Sequence, residues 1–174
     1  MGHWIDVGNK SLNGYERNNL FRNVCSPDRG VRFEEMAFIQ GADRIEDGRG
    51  AVAADFDRDG DLYVVIQSYS QPVTYLTNLS EPRNWLQVEL EGTVSNRDAI
   101  GARIEVQAGE RTLVRELRTS SGYLSGPSLV TSFGLGSERE IERLTVRWPS
   151  GGITRLEGVK ANQRLRLREE ATGK

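Results

Sequence analysis

Four aspartates alternate with other residues at about the end of the first third of the chain. They are Asp55, Asp57, Asp59 and Asp61, and Gly60 lies between the last two. Ionised carboxylates this close repel one another, so the cluster favours a bound cation. Calcium takes roughly six to eight oxygen ligands from carboxylates, carbonyls and water. The pattern therefore predicts a calcium site at these four aspartates, with Mg²⁺ or Mn²⁺ as weaker candidates for a site built from protein ligands alone.

The spacing matches the beginning of an EF-hand loop but not its end. The first, third, fifth and sixth positions are filled by Asp55, Asp57, Asp59 and Gly60. The twelfth position, where an EF-hand requires Glu, is Ile66. The alternative to a metal site is a solvated acidic turn, because Asp and Gly are also common turn residues. Four alternating aspartates exceed what a turn requires, so the metal site is the favoured interpretation.

The elements that must position this loop are strands. Residues 51–54 form a short apolar stretch before the loop, and the apolar, β-branched residues 62–66 follow it. Residues 43–50 are charged and contain glycine, which indicates a loop. Residues 31–36 fit either a strand or a short helix.

Period-two alternation of apolar and polar residues recurs through the second half of the chain, which indicates strands with one face on a core and one in water. Residues 108–110 and 149–152 carry the Gly and Pro signals of hairpin turns. The chain is therefore predicted to be all-β, with a small antiparallel β-sandwich or barrel in its second half. The apolar positions of the alternation are Leu86, Val88, Leu90, Ala102, Ile104, Val106, Leu144, Val146, Trp148, Leu165 and Leu167.

Residues for catalysis by histidine or cysteine are scarce. The chain has one histidine, His3, and one cysteine, Cys25, which we expect to be a small buried apolar residue. A non-catalytic protein is favoured, although carboxylate chemistry stays open. The net charge of −2 argues against a nucleic-acid partner, and no apolar run approaches the length needed for membrane insertion.

The acidic loop and the strand before it resemble the calcium loop of FG-GAP/VCBS repeats, which build blades of integrin-type β-propellers. The matching residues run from Gly50 to Leu62. Tyr63 stands where those repeats usually carry a further aspartate, so the resemblance implies Asp61 as a substitute last ligand or a weaker site. A propeller needs several blades, and this chain has material for about one. Three outcomes follow: the chain is a fragment of a longer propeller protein, the blade packs on the C-terminal domain, or copies of the chain associate. We expect the packed blade, with a homodimer as the main alternative.

The second half resembles the ASPIC/UnbV domain of cartilage-acidic-protein-like chains. This resemblance implies an FG-GAP/VCBS-like segment at 1–84 and an ASPIC/UnbV-like β domain at 85–174. The motifs that carry it occur in the family's order at Asn96–Arg103, Ser121–Ser125, Phe133–Gly136, Val146–Gly151 and Ala161–Gln163.

Three functions follow as hypotheses. The first is a non-catalytic calcium-binding β module that mediates protein interaction or self-association. The second, implied by the UnbV resemblance, is an accessory protein of enediyne-type natural-product biosynthesis. The third is a calcium-assisted module that binds a glycan or small molecule through Trp and Arg side chains. The resemblance implies a secreted or cell-surface location, whereas the absence of a signal-peptide pattern after Met1 implies a cytoplasmic one if Met1 is the natural start.

Overall fold

The computed structural model describes residues 16–26, 28 and 30–170. This part of the chain is all-β and contains no helix, which confirms the predicted fold class. None of it forms a helix long and apolar enough to span a membrane. The strands are β1 (Phe21–Asn23), β2 (Phe33–Glu35), β3 (Gly48–Ala54), β4 (Tyr63–Ser68), β5 (Thr74–Leu76), β6 (Asn84–Glu91), β7 (Arg103–Ala108), β8 (Arg111–Glu116), β9 (Thr131–Gly136), β10 (Glu140–Arg147), β11 (Ile153–Lys160) and β12 (Gln163–Arg168).

The chain forms two compact units. The first comprises residues up to 51 together with 65–76, and the second comprises residues 52–64 together with those from 77 onward. The boundary falls inside β3 and β4, so the acidic loop between these strands belongs to the second unit. The division at residue 84 that the family resemblance implies stays a prediction.

The first unit has little apolar core. Strands β1 and β2 pair antiparallel, with Phe21 opposite Glu35, so the stretch at 31–36 contains a strand. Ala37 and Ala42 are the buried hydrophobic residues of this unit in the described part of the chain. Most of its larger apolar side chains, such as Phe38, are exposed.

Two local expectations for the first unit are wrong. The loop expected at 43–50 ends early, because β3 already begins at Gly48. Cys25 is exposed rather than buried. Its sulfur accepts a hydrogen bond from the backbone N–H of Arg32 at 3.2 Å, so it lies against polar backbone in a unit whose described residues bury few apolar side chains.

The second unit contains two sheets whose inner faces form one core. One sheet has the order β11-β10-β7-β8, and the other has the order β12-β6-β9. Neither sheet closes into a barrel over the described residues, and the arrangement is sandwich-like. Strand β12 pairs parallel with β6, with Gln163 opposite Leu86. The pairings of β7 with β8 and β10, of β10 with β11, and of β6 with β9 are antiparallel.

The predicted apolar faces do form this core. The fully or nearly fully buried residues include Leu86, Val88, Leu90, Ala102, Ile104, Val106, Phe133, Leu135, Ile141, Leu144, Val146 and Trp148. They alternate with outward polar residues because successive side chains in a strand point to opposite faces of the sheet. Burial of many such side chains, each contributing about 1.5–3 kcal/mol, makes this core the main source of stability in the second unit.

Both predicted hairpins of the second unit are present. Ala108 pairs with Arg111 across the turn between β7 and β8. After β10, the backbone N–H of Gly151 donates to the carbonyl of Trp148, and the Trp148 N–H donates to the carbonyl of Gly152, both at 2.9 Å. Gly151 has a φ of 92°, which a residue with a Cβ rarely adopts.

Candidate functional site

The acidic loop connects β3 to β4. The carboxylate of Asp55 stabilises the turn of this loop by accepting backbone hydrogen bonds. Its Oδ1 accepts a hydrogen bond from the backbone N–H of Arg58 at 2.7 Å, and its Oδ2 accepts one from the N–H of Gly60 at 3.0 Å. Arg58 and Gly60 have positive φ angles of 68° and 99°. The chain therefore turns tightly around the Asp55 carboxylate, with backbone N–H groups directed inward.

This turn brings three of the four predicted ligands together. Carboxylate oxygens of Asp55, Asp57 and Asp59 all lie within 4.8 Å of one another. Asp55 is half-buried, whereas Asp57 and Asp59 are exposed. Asp61 is outside this group, although its backbone N–H donates to Asp59 Oδ1 at 2.8 Å. Three converging carboxylates fit the oxygen-ligand preference of calcium, and carbonyls or water would have to complete its shell.

The carboxyl of Asp61 lies outside the group of three carboxylates, but their charges shift its pKa. Partial burial raises its pKa, and the negative charges of Asp59, Asp55 and Asp57 raise it further. Each of these causes disfavours the ionised form. A cation bound among the three converging carboxylates would oppose this effect, because it would cancel part of the negative field at Asp61.

Tyr63 contributes to the loop from the first position of β4. Its hydroxyl donates a hydrogen bond to Asp57 Oδ2 at 2.7 Å, and this bond lowers the pKa of the Asp57 carboxyl. The ring also meets Phe56 in an edge-to-face contact, with the centroids 6.2 Å apart. The phenol of Tyr63 thus adds a hydrogen-bond donor to the acidic loop at Asp57.

Two residues of β6 hold the acidic loop against this strand. Gln87, only 3% exposed, donates from Nε2 to Asp55 Oδ2 at 2.6 Å. Gly60 lies directly against the indole of Trp85, since a Cβ at Gly60 would lie 2.2 Å from both Cδ1 and Nε1 of that ring. Sequence reasoning missed both partners. The available signal was their shared face, because Trp85 and Gln87 alternate with the core residues of β6.

A cleft adjoins the loop on the side of Trp85. It has a volume of about 400 Å³. We call it the tryptophan cleft and define it by Asp59, Asp61, Arg83, Asn84, Trp85 and Asn162.

Glu169 is a buried carboxylate that sequence reasoning did not single out. It is 4% exposed. Its Oε2 accepts hydrogen bonds from the backbone N–H groups of Thr93, Val94 and Ser95 at 2.7–2.9 Å. Its Oε1 accepts from the hydroxyls of Ser95 and Ser150. We call this arrangement the Glu169 clasp.

The clasp joins three segments of the second unit, and its hydrogen bonds control the ionisation of its carboxylate. Burial alone would raise the pKa of Glu169. Hydrogen bonds from the Ser150 hydroxyl and from the backbone of Ser95 and Thr93 outweigh burial and lower the pKa to about 2. The carboxylate is therefore ionised at neutral pH and fixes the end of β12 to the loop after β6 and to the turn after β10.

Two further features of the second unit are the exposed arginines of β12 and the side chain of Trp148. Arg164 pairs with Glu89 and Arg166 with Glu91, both at 2.9 Å, on the exposed face of the β12–β6 pair. On this face the arginines form ion pairs with outward glutamates of β6. Trp148 is 4% exposed, and its Nε1 donates to Thr154 Oγ1 at 2.8 Å, so it is a core residue, as its place in the alternation predicted.

Comparison with known proteins adds relatives for most of the chain. The human protein named cartilage acidic protein 1 is 30% identical over 152 residues, which is 84% of this chain and 23% of that protein. The mouse and Xenopus tropicalis proteins of the same name are 30% and 29% identical over 77% and 86% of this chain. This chain therefore spans about a quarter of the length of these curated relatives.

The family comparison concerns the C-terminal part. Residues 92–174 match the family described as ASPIC and UnbV. All five motifs of the predicted resemblance fall inside this range, so this part of it is confirmed. The FG-GAP/VCBS resemblance of the acidic loop stays a prediction. Residues 92–174 accordingly resemble the ASPIC and UnbV family, in a chain that is similar over most of its length to cartilage acidic protein 1.

Proposed function

We propose that this chain is a non-catalytic, calcium-binding β module, in which the ion organises the acidic loop on the outer face of β6. The observation that carries the proposal is the convergence of oxygens from Asp55, Asp57 and Asp59 within 4.8 Å. Calcium would be held by these carboxylates together with carbonyls or water. The ion would neutralise their mutual repulsion and would fix the loop that packs on Trp85 and Gln87.

The position of the acidic loop in the fold supports a binding role. The acidic loop lies at the surface of a unit with a well-packed core, and its ligands come from one short segment. Such a site can switch a local surface between loose and ordered states without moving the sheets. A protein partner or a second copy of the chain is the expected occupant of that surface. The accessory role in natural-product biosynthesis stays a separate prediction.

Thermal unfolding with and without calcium tests the metal part. At a free calcium concentration of about 100 times Kd, binding to the folded state adds about 2.7 kcal/mol to the free energy of unfolding. For a unit of this size we expect Tm to rise by roughly 10 °C. Magnesium at the same concentration should raise Tm less, because Mg²⁺ demands near-ideal octahedral geometry and gives up its water reluctantly, so it is rarely held by protein ligands alone.

Substitutions in the acidic loop test whether the calcium-dependent rise in Tm comes from this loop. The double substitution Asp57→Asn and Asp59→Asn should abolish the calcium-dependent rise in Tm. The matched control is Asp98→Asn, an exposed carboxylate of the same unit outside the loop. An equal Tm in millimolar calcium and in EDTA would reject the metal site, and an equal response of the double variant and the parent would place the ion elsewhere.

A further inference from the structure

The tryptophan cleft contains three polar side chains that make no hydrogen bond or ion pair through their functional groups. They are the carboxylate of Asp61, the guanidinium of Arg83 and the indole N–H of Trp85, each compared with the described residues only. Asp61 and Trp85 are half-buried, whereas Arg83 is exposed. Residues that carry an acceptor, a forked donor and a single donor therefore line one cavity, and these groups have no partner from the described part of the chain.

The wall around these groups is already fixed by hydrogen bonds. Asn162 Oδ1 accepts from the backbone N–H of Trp85 at 3.1 Å, and Asn162 Nδ2 donates to Asn84 Oδ1 at 2.9 Å. Asn84 Nδ2 in turn donates to the carbonyl of Ser137 at 3.1 Å. Gly60 closes on the indole of Trp85 from the side of the loop. These contacts hold the indole in place, so the cleft is formed before any ligand enters.

The chemistry of the cleft restricts its ligand. The two carboxylates of Asp59 and Asp61 exceed the single positive charge of Arg83, which disfavours an anion. Arg83 in turn disfavours a cation. A neutral polyhydroxyl ligand avoids both charge conflicts, because its hydroxyls donate to a carboxylate and accept from a guanidinium or an indole N–H. The apolar surface of Trp85 suits the C–H groups of a sugar ring. A volume of about 400 Å³ lies within the range of roughly 300–1,000 Å³ that small-molecule sites occupy.

We propose that the tryptophan cleft binds a neutral saccharide, with hydroxyls on Asp61 and Arg83 and the sugar ring beside Trp85. This inference goes beyond the proposed function, because it adds a small-molecule site beside the acidic loop and does not depend on the calcium site. The link between the two sites is Asp59, which belongs both to the acidic loop and to the cleft.

Titration of the full chain with defined sugars tests this inference. The probes are methyl α-D-mannoside, methyl β-D-galactoside, methyl β-D-glucoside and L-fucose, measured by calorimetry in calcium and again in EDTA. We expect saturable binding of at least one probe, with a millimolar Kd. In a Trp4→Phe background, tryptophan fluorescence should change on binding and should no longer change when Trp85→Phe is added, because the ring of Trp148 is buried in the core.

Substitutions at the cleft place the ligand. Asp61→Asn and Arg83→Gln should each weaken binding about tenfold or more, since each removes a charged hydrogen-bond partner. Asp98→Asn and Arg97→Gln are the matched controls, as exposed residues of the same unit outside the cleft, and they should bind as the parent does. Unchanged Tm values would show that the cleft variants remain folded.

The outcomes separate this inference from the calcium site. No binding of any probe up to about 20 mM, well above a millimolar Kd, would overturn the saccharide site even if calcium raises Tm. Binding that survives both cleft substitutions would overturn it as well. Sugar binding that is the same in calcium and in EDTA, with no effect of calcium on Tm, would support the saccharide site and reject the metal site.

Discussion

Substitution of Glu169 by Gln removes the charge of the clasp while keeping its shape. The buried carboxylate accepts three backbone N–H groups on Oε2 and two hydroxyls on Oε1. Glutamine can keep one acceptor oxygen toward the N–H groups of residues 93–95. Its amide nitrogen would then face the hydroxyls of Ser95 and Ser150, which would have to rotate to accept instead of donate.

The size of the loss follows from the pKa of Glu169. Hydrogen bonding lowers this pKa from 4.5 to about 2. A pKa that is lower by one in the folded state corresponds to about 1.4 kcal/mol, so the ionised form contributes up to about 3 kcal/mol to the free energy of unfolding. We expect Glu169→Gln to lower that free energy by about 2–3 kcal/mol at pH 7, because a neutral amide replaces charge-assisted hydrogen bonds.

The pH dependence identifies the cause. The folded-state pKa lies below the unfolded-state value, so the stabilisation is complete above about pH 4.5 and is lost as the pH falls through 2. The difference between parent and variant should therefore be full at pH 7 and should shrink between pH 4.5 and pH 2. Urea unfolding at several pH values, followed by tryptophan fluorescence in a Trp4→Phe background, measures it. Trp85 and Trp148 then report on the second unit alone.

The matched control is Glu170→Gln. Glu170 is the next residue and is exposed, so its substitution should change the free energy of unfolding by less than about 0.5 kcal/mol. Equal stability of parent and Glu169→Gln at pH 7 would refute the reasoning. A loss that stays constant from pH 7 to pH 2 would also refute it, because the contribution would then come from packing and not from the ionised carboxylate.

Three further substitutions test the acidic loop. Gly60→Ala should lower the free energy of unfolding of the second unit by about 1–3 kcal/mol, because its φ of 99° is strained for alanine and the new Cβ would displace the Trp85 indole. Urea unfolding measures this loss. The control is Gly134→Ala, a strand position with open space, which should leave the free energy of unfolding unchanged. Asp59→Asn should raise Tm in EDTA and lower it in calcium, because it relieves repulsion in one case and removes a ligand in the other; the same sign in both buffers would contradict the metal site. Tyr63→Asp should tighten calcium binding about tenfold by calorimetry, because affinity rises with ligand charge, whereas weaker binding would show that the phenol of Tyr63 itself supports the site.

The strands and turns of the second unit could be predicted because their signals are local. Alternation marked the core residues of β6 and β10, and Gly or Pro marked the hairpin turns after β7 and β10. The cluster of Asp55, Asp57 and Asp59 could also be predicted from a local signal, since one tight turn brings the three residues together.

The partners of the loop and the clasp could not be predicted, because their contacts join residues far apart in sequence. Gln87 reaches Asp55 across 32 positions, and Glu169 reaches Ser95 across 74. In the sequence, Glu169 is only one of the five charged residues from Arg164 to Glu170. The exposure of Cys25 was missed for a related reason, because composition alone did not indicate that the first unit buries so little.

The parallel pairing of β12 with β6 has a consequence for how the protein is made. In its sheet, β6 lies between β9 and β12, and Gln163 is opposite Leu86. On the ribosome, β6 emerges long before its second neighbour exists. One edge of β6 therefore stays open until residue 168 has left the exit tunnel, and an open edge is where strands of other chains can add. Nascent chains halted before that point should bind holdase chaperones, and those halted beyond it should not.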